Sequence, residues 1–234
     1  MTANDVRLKL RNLGSPERAE MSKRYFKTGP GQYGEGDIFY GSSSAEMRGL
    51  ARGYQALAED ELLKLLRSPF HEERAVALLI FVRRFAKADQ SLRKRIYELY
   101  LAHTAFINNW DLVDVSAPHV VGAYLADKSR KPLYRLVRSR GLWERRISIV
   151  STFHFIRQND FSDTLALSKQ LLADKEDLIH KATGWMLREV GKRDTDAART
   201  FLAEHYHRMP RTMLRYAIER FPEAERQAYL KGLI

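Results

Sequence analysis

His71–Phe85 reads HEERAVALLIFVRRF, and its apolar residues recur at three- and four-residue spacing. That is the period of a helix with one buried face. Four more segments are built alike: WDLVDVSAPHVVGAYL from Trp110, WERRISIVSTFHFIR from Trp143, DLIHKATGWMLREVGK from Asp177 and RTMLRYAIERF from Arg211. Their starts are spaced at 39, 33, 34 and 34 residues. Between them lie shorter amphipathic segments, SLRKRIYELYLAH (91–103) and SDTLALSKQLLA (162–173) among them. Each unit therefore reads as a helical pair of the HEAT kind. The predicted fold is all-α, a right-handed superhelical solenoid of HEAT-like repeats forming a single domain over residues 1–234. Such a solenoid presents the same helix of each pair on one concave surface, long enough to track an extended ligand.

Helix boundaries follow from local chemistry. Ser43 and Glu46 have the spacing of a capping box ahead of Met47, Leu50 and Tyr54, and Ser68-Pro69 closes a helix ending near Arg67. Asn108 or Asn109 is suited to cap the helix that begins at Trp110. Gly29, Gly31 and Gly34 satisfy the letters of G-x-G-x-x-G, but no strand precedes them and Pro30 interrupts them. They belong to a Gly-rich stretch near residues 29–41 that reads as a loop, not as a dinucleotide site.

Composition narrows the function. The chain has no cysteine, which rules out disulfides, a thiolate metal site and cysteine catalysis. It contains no uninterrupted apolar run of about 18 residues, and MTANDVRLKLRNLG has no apolar signal core. A cytoplasmic location is expected. Lys and Arg number 40 against 29 Asp and Glu, a formal charge of +11. The excess is densest from Lys128 to Arg146, where eight basic residues meet Glu144 inside the span and Asp127 just outside it. A polyanionic partner fits this pattern, although such runs are often solvated faces.

Asp114 is the main candidate for chemistry. Aligning the repeats by their spacing, to within a residue, sets it opposite Ala75, Ile147 and Ala182, so a carboxylate stands where these units place an apolar side chain. That substitution costs desolvation unless the group is paired or faces a cleft. Trp110 lies one helical turn earlier on the same face, whereas Asp111 points elsewhere and suits the positive end of the helix. The alternatives are an ion pair for Asp114 with an Arg of a neighbouring repeat and a plain core contact for Trp110. Trp185 and Arg188 form a second same-face pair, for which a core Trp is again the simpler reading. On a DNA-binding surface the indoles would pack on deoxyribose, the carboxylate would face developing positive charge at the sugar, and Arg188 would hold the adjacent phosphate. Arg145 and Arg146 of the basic span are further expected phosphate contacts. Neither the carboxylates nor the seven histidines show a recognised metal-ligand spacing, so no metal and no cofactor is expected.

In the order and surroundings of N-N-W-D-L-V-D, L-W-E-R-R and K-A-T-G-W-M-L-R-E-V-G-K, the chain resembles AlkD-like alkylpurine DNA glycosylases over essentially its whole length. In that family a Trp and an Asp on one helix and a Trp on a later one form the lesion site. They fall here on Trp110, Asp114 and Trp185. The stretch R-Y-F before the Gly-rich loop is similar to the family's N-terminal segment and implies a DNA contact at Tyr25, although the loop that follows departs from the AlkD pattern. The resemblance implies a monomer that excises N3- and N7-alkylated purines from double-stranded DNA for base excision repair, without a base-flipping pocket. Some relatives with this fold lack the trio and do not excise bases. The rival readings are a non-catalytic HEAT-like binder of structured or damaged DNA and a protein-interaction scaffold.

Overall fold

The computed structural model describes residues 1–234, and the chain is helical without any strand. One isolated bridge pairs Ile38 with Phe70. No helix is long and apolar enough to cross a membrane. The chain forms two compact units, Met1–Val120 and Val121–Ile234.

The first unit contains α1 (Ala3–Leu13), α2 (Pro16–Tyr25), α3 (Ser44–Gly53), α4 (Glu59–Leu66), α5 (His71–Lys87), α6 (Gln90–Ala102) and α7 (Trp110–Asp114). Thr2 and Ser43 each close a reciprocal capping box, with Asp5 and Glu46 respectively, so α3 starts where its sequence predicts. The helix before Ser68-Pro69 ends as expected, with Arg67 as its C-cap. Residues 29–41 form the predicted loop, and Gly31, Gly36 and Gly41 adopt positive φ. At Gly41 an added Cβ would also lie 2.2 Å from the Ser15 carbonyl oxygen, so both backbone freedom and close approach require glycine there.

α5 is the central element of this unit and packs against α1, α3, α4, α6 and α7. Its apolar residues Val76, Leu78, Ile80 and Phe81 are buried, as its periodicity demands. The four polar residues that open it, His71, Glu72, Glu73 and Arg74, are also buried, each at most 3 % exposed. Such groups survive burial only when hydrogen-bonded. Glu72 accepts the backbone N–H groups of Tyr40, Gly41 and Ser42, while Glu73 accepts from the Tyr40 hydroxyl and the Arg7 guanidinium. The start of α5 thus anchors the Gly-rich loop.

The second unit contains α8 (Lys131–Leu136), α9 (Leu142–Ser151), α10 (Phe153–Ile156), α11 (Ser162–Gln170), α12 (Asp177–Gly191), α13 (Thr195–His205), α14 (Arg211–Ala217) and α15 (Glu223–Lys231). Here the repeat pattern becomes packing. α9 lies against α12 and α12 against α14, while α8, α11 and α13 supply the second helix of each pair. α12 and α14 meet at Gly184, where a Cβ would sit 2.4 Å from the Met213 carbonyl oxygen and 2.5 Å from the Tyr216 Cβ. Phe201, Leu202, Met213, Leu214, Ile218 and Tyr229 form the adjoining core.

Two predicted helical segments are interrupted. The segment from Trp110 yields only the five residues of α7, a turn, and a π-helical stretch at Pro118–Gly122. The cause is Pro118, four residues after Asp114, which has no N–H for the Asp114 carbonyl and whose ring crowds it. The Ser116 carbonyl instead accepts both His119 N at 3.1 Å and Val120 N at 3.0 Å. The segment from Trp143 divides at Thr152, where the Ser151 and Thr152 hydroxyls donate to the Ile147 and Ile149 carbonyls. Such back-bonding bends helices.

Candidate active site

Asn109 begins the site as the N-cap of α7, its Oδ1 accepting the Trp110 N–H at 2.8 Å. The Trp110 indole is half-buried, with its ring centroid 5.6 Å from the stacked ring of Phe26 and 5.7 Å from Tyr25, which meets it edge-on. Tyr25 itself is 64 % exposed at the end of α2, where a surface-binding ligand can reach it.

Asp114 closes α7 one turn beyond Trp110 and is half-buried. Its counterparts in the two flanking units, Ala75 and Ile147, are at most 4 % exposed, whereas the same offset falls on Lys181 and Arg215 in the two later ones. A carboxylate therefore occupies a position that the flanking units give to the core, and it retains access to solvent. Nearby, burial and then the negative charge of Asp114 push the Tyr100 hydroxyl above its ordinary pKa. Tyr100 stays neutral, 2.9 Å from the Ser116 Oγ.

Behind α7 lies an arrangement with no motif in the sequence. His71 Nδ1 is 3.0 Å from Asp37 Oδ2, and His71 Nε2 is 2.9 Å from Asp111 Oδ2. Asp37 also binds the Arg74 guanidinium and accepts from Asn109 Nδ2 at 3.2 Å. The ring of His71 lies 4.6 Å from that of Phe26 and 4.9 Å from that of Phe39. Burial opposes the charged imidazole, but the charge and hydrogen bond of Asp111 and the hydrogen bond of Asp37 prevail, raising its pKa to about 9. Burial likewise opposes the Asp37 charge, yet His71, Arg74 and Asn109 hold its carboxyl below the usual range. Asp111 does sit in the first turn of α7, as expected, but its carboxylate is engaged with His71. A cavity of about 310 Å³ lies alongside, lined by Tyr25, Phe26, Phe39, His71, Glu72 and Asp111.

In the second unit, Trp185 is half-buried on α12, its ring tilted against Phe153 at 5.7 Å and its Nε1 donating to Glu189 at 3.2 Å. Arg188 is paired with Glu219. Arg145 donates to Asp174 at 2.7 Å and to the carbonyls of Ser139 and Arg140. Arg146 is 5 % exposed and donates to the Leu178 carbonyl at 2.5 Å. Each of these guanidiniums must exchange a protein partner to take a phosphate. The dense basic span is thus partly neutralised by acids about one repeat ahead, since Arg130 likewise meets Asp160 at 2.6 Å and Asp163 at 2.5 Å. Lys131, Arg135, Arg138 and Arg140 remain exposed.

An all-helical chain of packed helix pairs, with a half-exposed carboxylate and indole on one short helix, defines the class. A solved structure described as a predicted DNA alkylation repair enzyme from Enterococcus faecalis has the same fold, with a TM-score of 0.69 over 90 % of this chain and 97 % of that one, at 16 % identity. The family model for DNA alkylation repair enzymes matches residues 6–221, and the chain belongs to that family. No curated protein matches it.

Proposed function

We propose that this protein is a DNA glycosylase that hydrolyses the N-glycosidic bond of N3- and N7-alkylated purines in duplex DNA, acting as a cytoplasmic, DNA-associated monomer. Membership of a DNA alkylation repair family supplies the substrate class. The observation that carries the reaction is Asp114, a half-exposed carboxylate where the flanking units bury Ala75 and Ile147, one turn from a half-exposed indole.

The chemistry requires little more. An N3- or N7-alkylated purine is cationic and leaves as a neutral base, shifting positive charge to the sugar. A fixed carboxylate interacts more strongly with that oxocarbenium-like centre than with the ground state, and so lowers the barrier. Asp114 also orients or deprotonates the attacking water. Trp110 packs against deoxyribose, Trp185 supplies a second indole to the DNA, and Tyr25 contacts the strand from its exposed position. Arg188, Arg145 and Arg146 hold phosphates by exchanging their present partners. Base flipping into a pocket is not required. The cavity beside His71 is poorly suited to that role, because the faces of Phe26 and Phe39 are already stacked on the imidazole.

The test is release of free 7-methylguanine from a methylated duplex at saturating protein, with spontaneous depurination subtracted. Base release supports the reading. Duplex binding without release overturns it in favour of a non-catalytic DNA-binding protein.

A further inference from the structure

His71 is 2 % exposed and joins parts of the chain that are far apart in sequence. Asp37 comes from the Gly-rich loop, Phe26 from the end of α2, Arg74 from the first turn of α5, and Asn109 and Asp111 from the start of α7. We propose that His71 is a positioning residue: by bridging Asp37 and Asp111 it holds α7 in the orientation that aims Trp110 and Asp114 at the DNA. This inference rests on the glycosylase reading for its activity arm alone.

The need for such a clamp follows from α7 itself. Five residues make barely more than one turn, too few to be stable without tertiary contacts. The helix cannot continue past Asp114 because Pro118 removes the next bond. Polar ties hold its start to the rest of the unit, through Asn109 to Asp37 and through Asp111 to His71. Asp111 directly follows Trp110 and precedes Asp114 by three residues, so a rotation of α7 about its start displaces both.

The residue type is equally constrained. A neutral imidazole carries one N–H, which would leave one of the two carboxylates facing a lone pair, whereas the protonated ring donates from both nitrogens. The rings of Phe26 and Phe39, 4.6 and 4.9 Å away, further favour a cation beside them. The charged groups facing the ring are Asp37 from the loop, Arg74 from its own helix and Asp111 from α7. A glutamine carries both of its donors on one nitrogen and has an acceptor oxygen in place of the second, so it cannot span the two carboxylates as the protonated ring does.

The experiment compares wild type with His71→Gln by three measurements: single-turnover base release, duplex affinity, and acrylamide quenching of Trp110 in a background carrying Trp143→Phe and Trp185→Phe. His71→Gln should keep its far-UV circular dichroism and bind duplex within about two-fold, yet release base about ten-fold or more slowly. Trp110 quenching should rise by about two-fold as the indole loosens. In the Asp114→Asn background His71→Gln should cost much less than in wild type, only what it loses through Trp110, whereas a general structural defect would add in full. Should His71→Gln fail to fold, Asp111→Asn serves instead: it lowers the imidazole pKa, so base release should decline at a lower pH than in wild type. An unchanged rate with unchanged quenching, full additivity with Asp114→Asn, or an unmoved pH profile overturns the proposal. If wild type releases no base, the glycosylase reading fails, and Trp110 quenching still decides whether the clamp exists.

Discussion

Arg145 and Asp174 lie 29 residues apart in sequence and form an ion pair at 2.7 Å, with both side chains largely withdrawn from solvent. The pair joins the start of α9 to the turn before α12. Arg188 and Glu219 repeat the arrangement 31 residues apart, and Arg199 and Glu225 do so 26 residues apart. Charge complementarity is therefore built into the repeat: these pairs engage particular guanidiniums but leave the net excess of +11 unchanged.

Because Asp174 is buried, Arg145→Ala should destabilise the fold by about 2–4 kcal/mol by leaving a charge unpaired. The loss should shrink when Asp174→Ala is added. Urea unfolding of the two single variants and the double variant checks both statements. Arg188→Ala, whose partner Glu219 is half-exposed, should cost much less stability. It should instead lower duplex affinity and reduce its salt slope by about one unit. An unchanged slope places the phosphate contacts elsewhere.

Asp114→Asn keeps the shape of the side chain and removes its charge. Loss of one preorganised electrostatic group costs on the order of 2.7–4 kcal/mol, so 7-methylguanine release should fall roughly 100- to 1000-fold. Duplex affinity and thermal stability should barely move. Single-turnover kinetics at saturating protein isolate this step, and equal rates in the two proteins would remove Asp114 from the mechanism.

Gly184→Ala should weaken the crossing of α12 and α14. The added methyl meets the Met213 carbonyl oxygen and the Tyr216 Cβ, so the helices must separate at a cost of about 1–3 kcal/mol. Thermal unfolding reads this directly. The gain in helix propensity, less than about 1 kcal/mol, is too small to reverse the sign.

The clamp at His71 also predicts a pH dependence of stability. Its folded pKa, about 9, lies above the ordinary histidine value of 6.5. The folded state therefore binds the proton more tightly than the unfolded chain. The stabilisation is fully present below about pH 6.5 and is lost as pH rises through about 9, with a magnitude on the order of 2–4 kcal/mol. Urea unfolding of wild type and His71→Gln at pH 6.5 and pH 9.5 should show the difference between the two proteins narrowing at the higher pH. A difference that stays constant would mean that the ring is not held as a cation.

Local relations were legible in the sequence. Helical periodicity, the Ser43–Glu46 capping box and the Asn109 cap each depend on residues within a turn or two of one another, where chain geometry alone fixes the neighbours. The register that sets Asp114 against Ala75 and Ile147 was also readable, because the related segments recur at near-constant spacing, although the same offset falls on Lys181 and Arg215 farther on. The interruption after Asp114 had a local signal in Pro118, outweighed in the reading by the apolar pattern that continues to Leu125.

The environment of that short helix was decided only by tertiary structure. The four consecutive polar residues that open α5 are all buried. Most of their partners are far off in sequence: Asp37 is 34 residues before His71, Asp111 is 40 after it, and Arg7 lies 66 before Glu73. A buried charge is tolerated only where its partners converge, and convergence is a property of packing rather than of spacing. By itself the sequence determined that the chain is helical, where several helices begin, and that a carboxylate stands where the flanking units place Ala75 and Ile147. The tertiary structure decided that an imidazole with two carboxylates stands behind the helix that carries it.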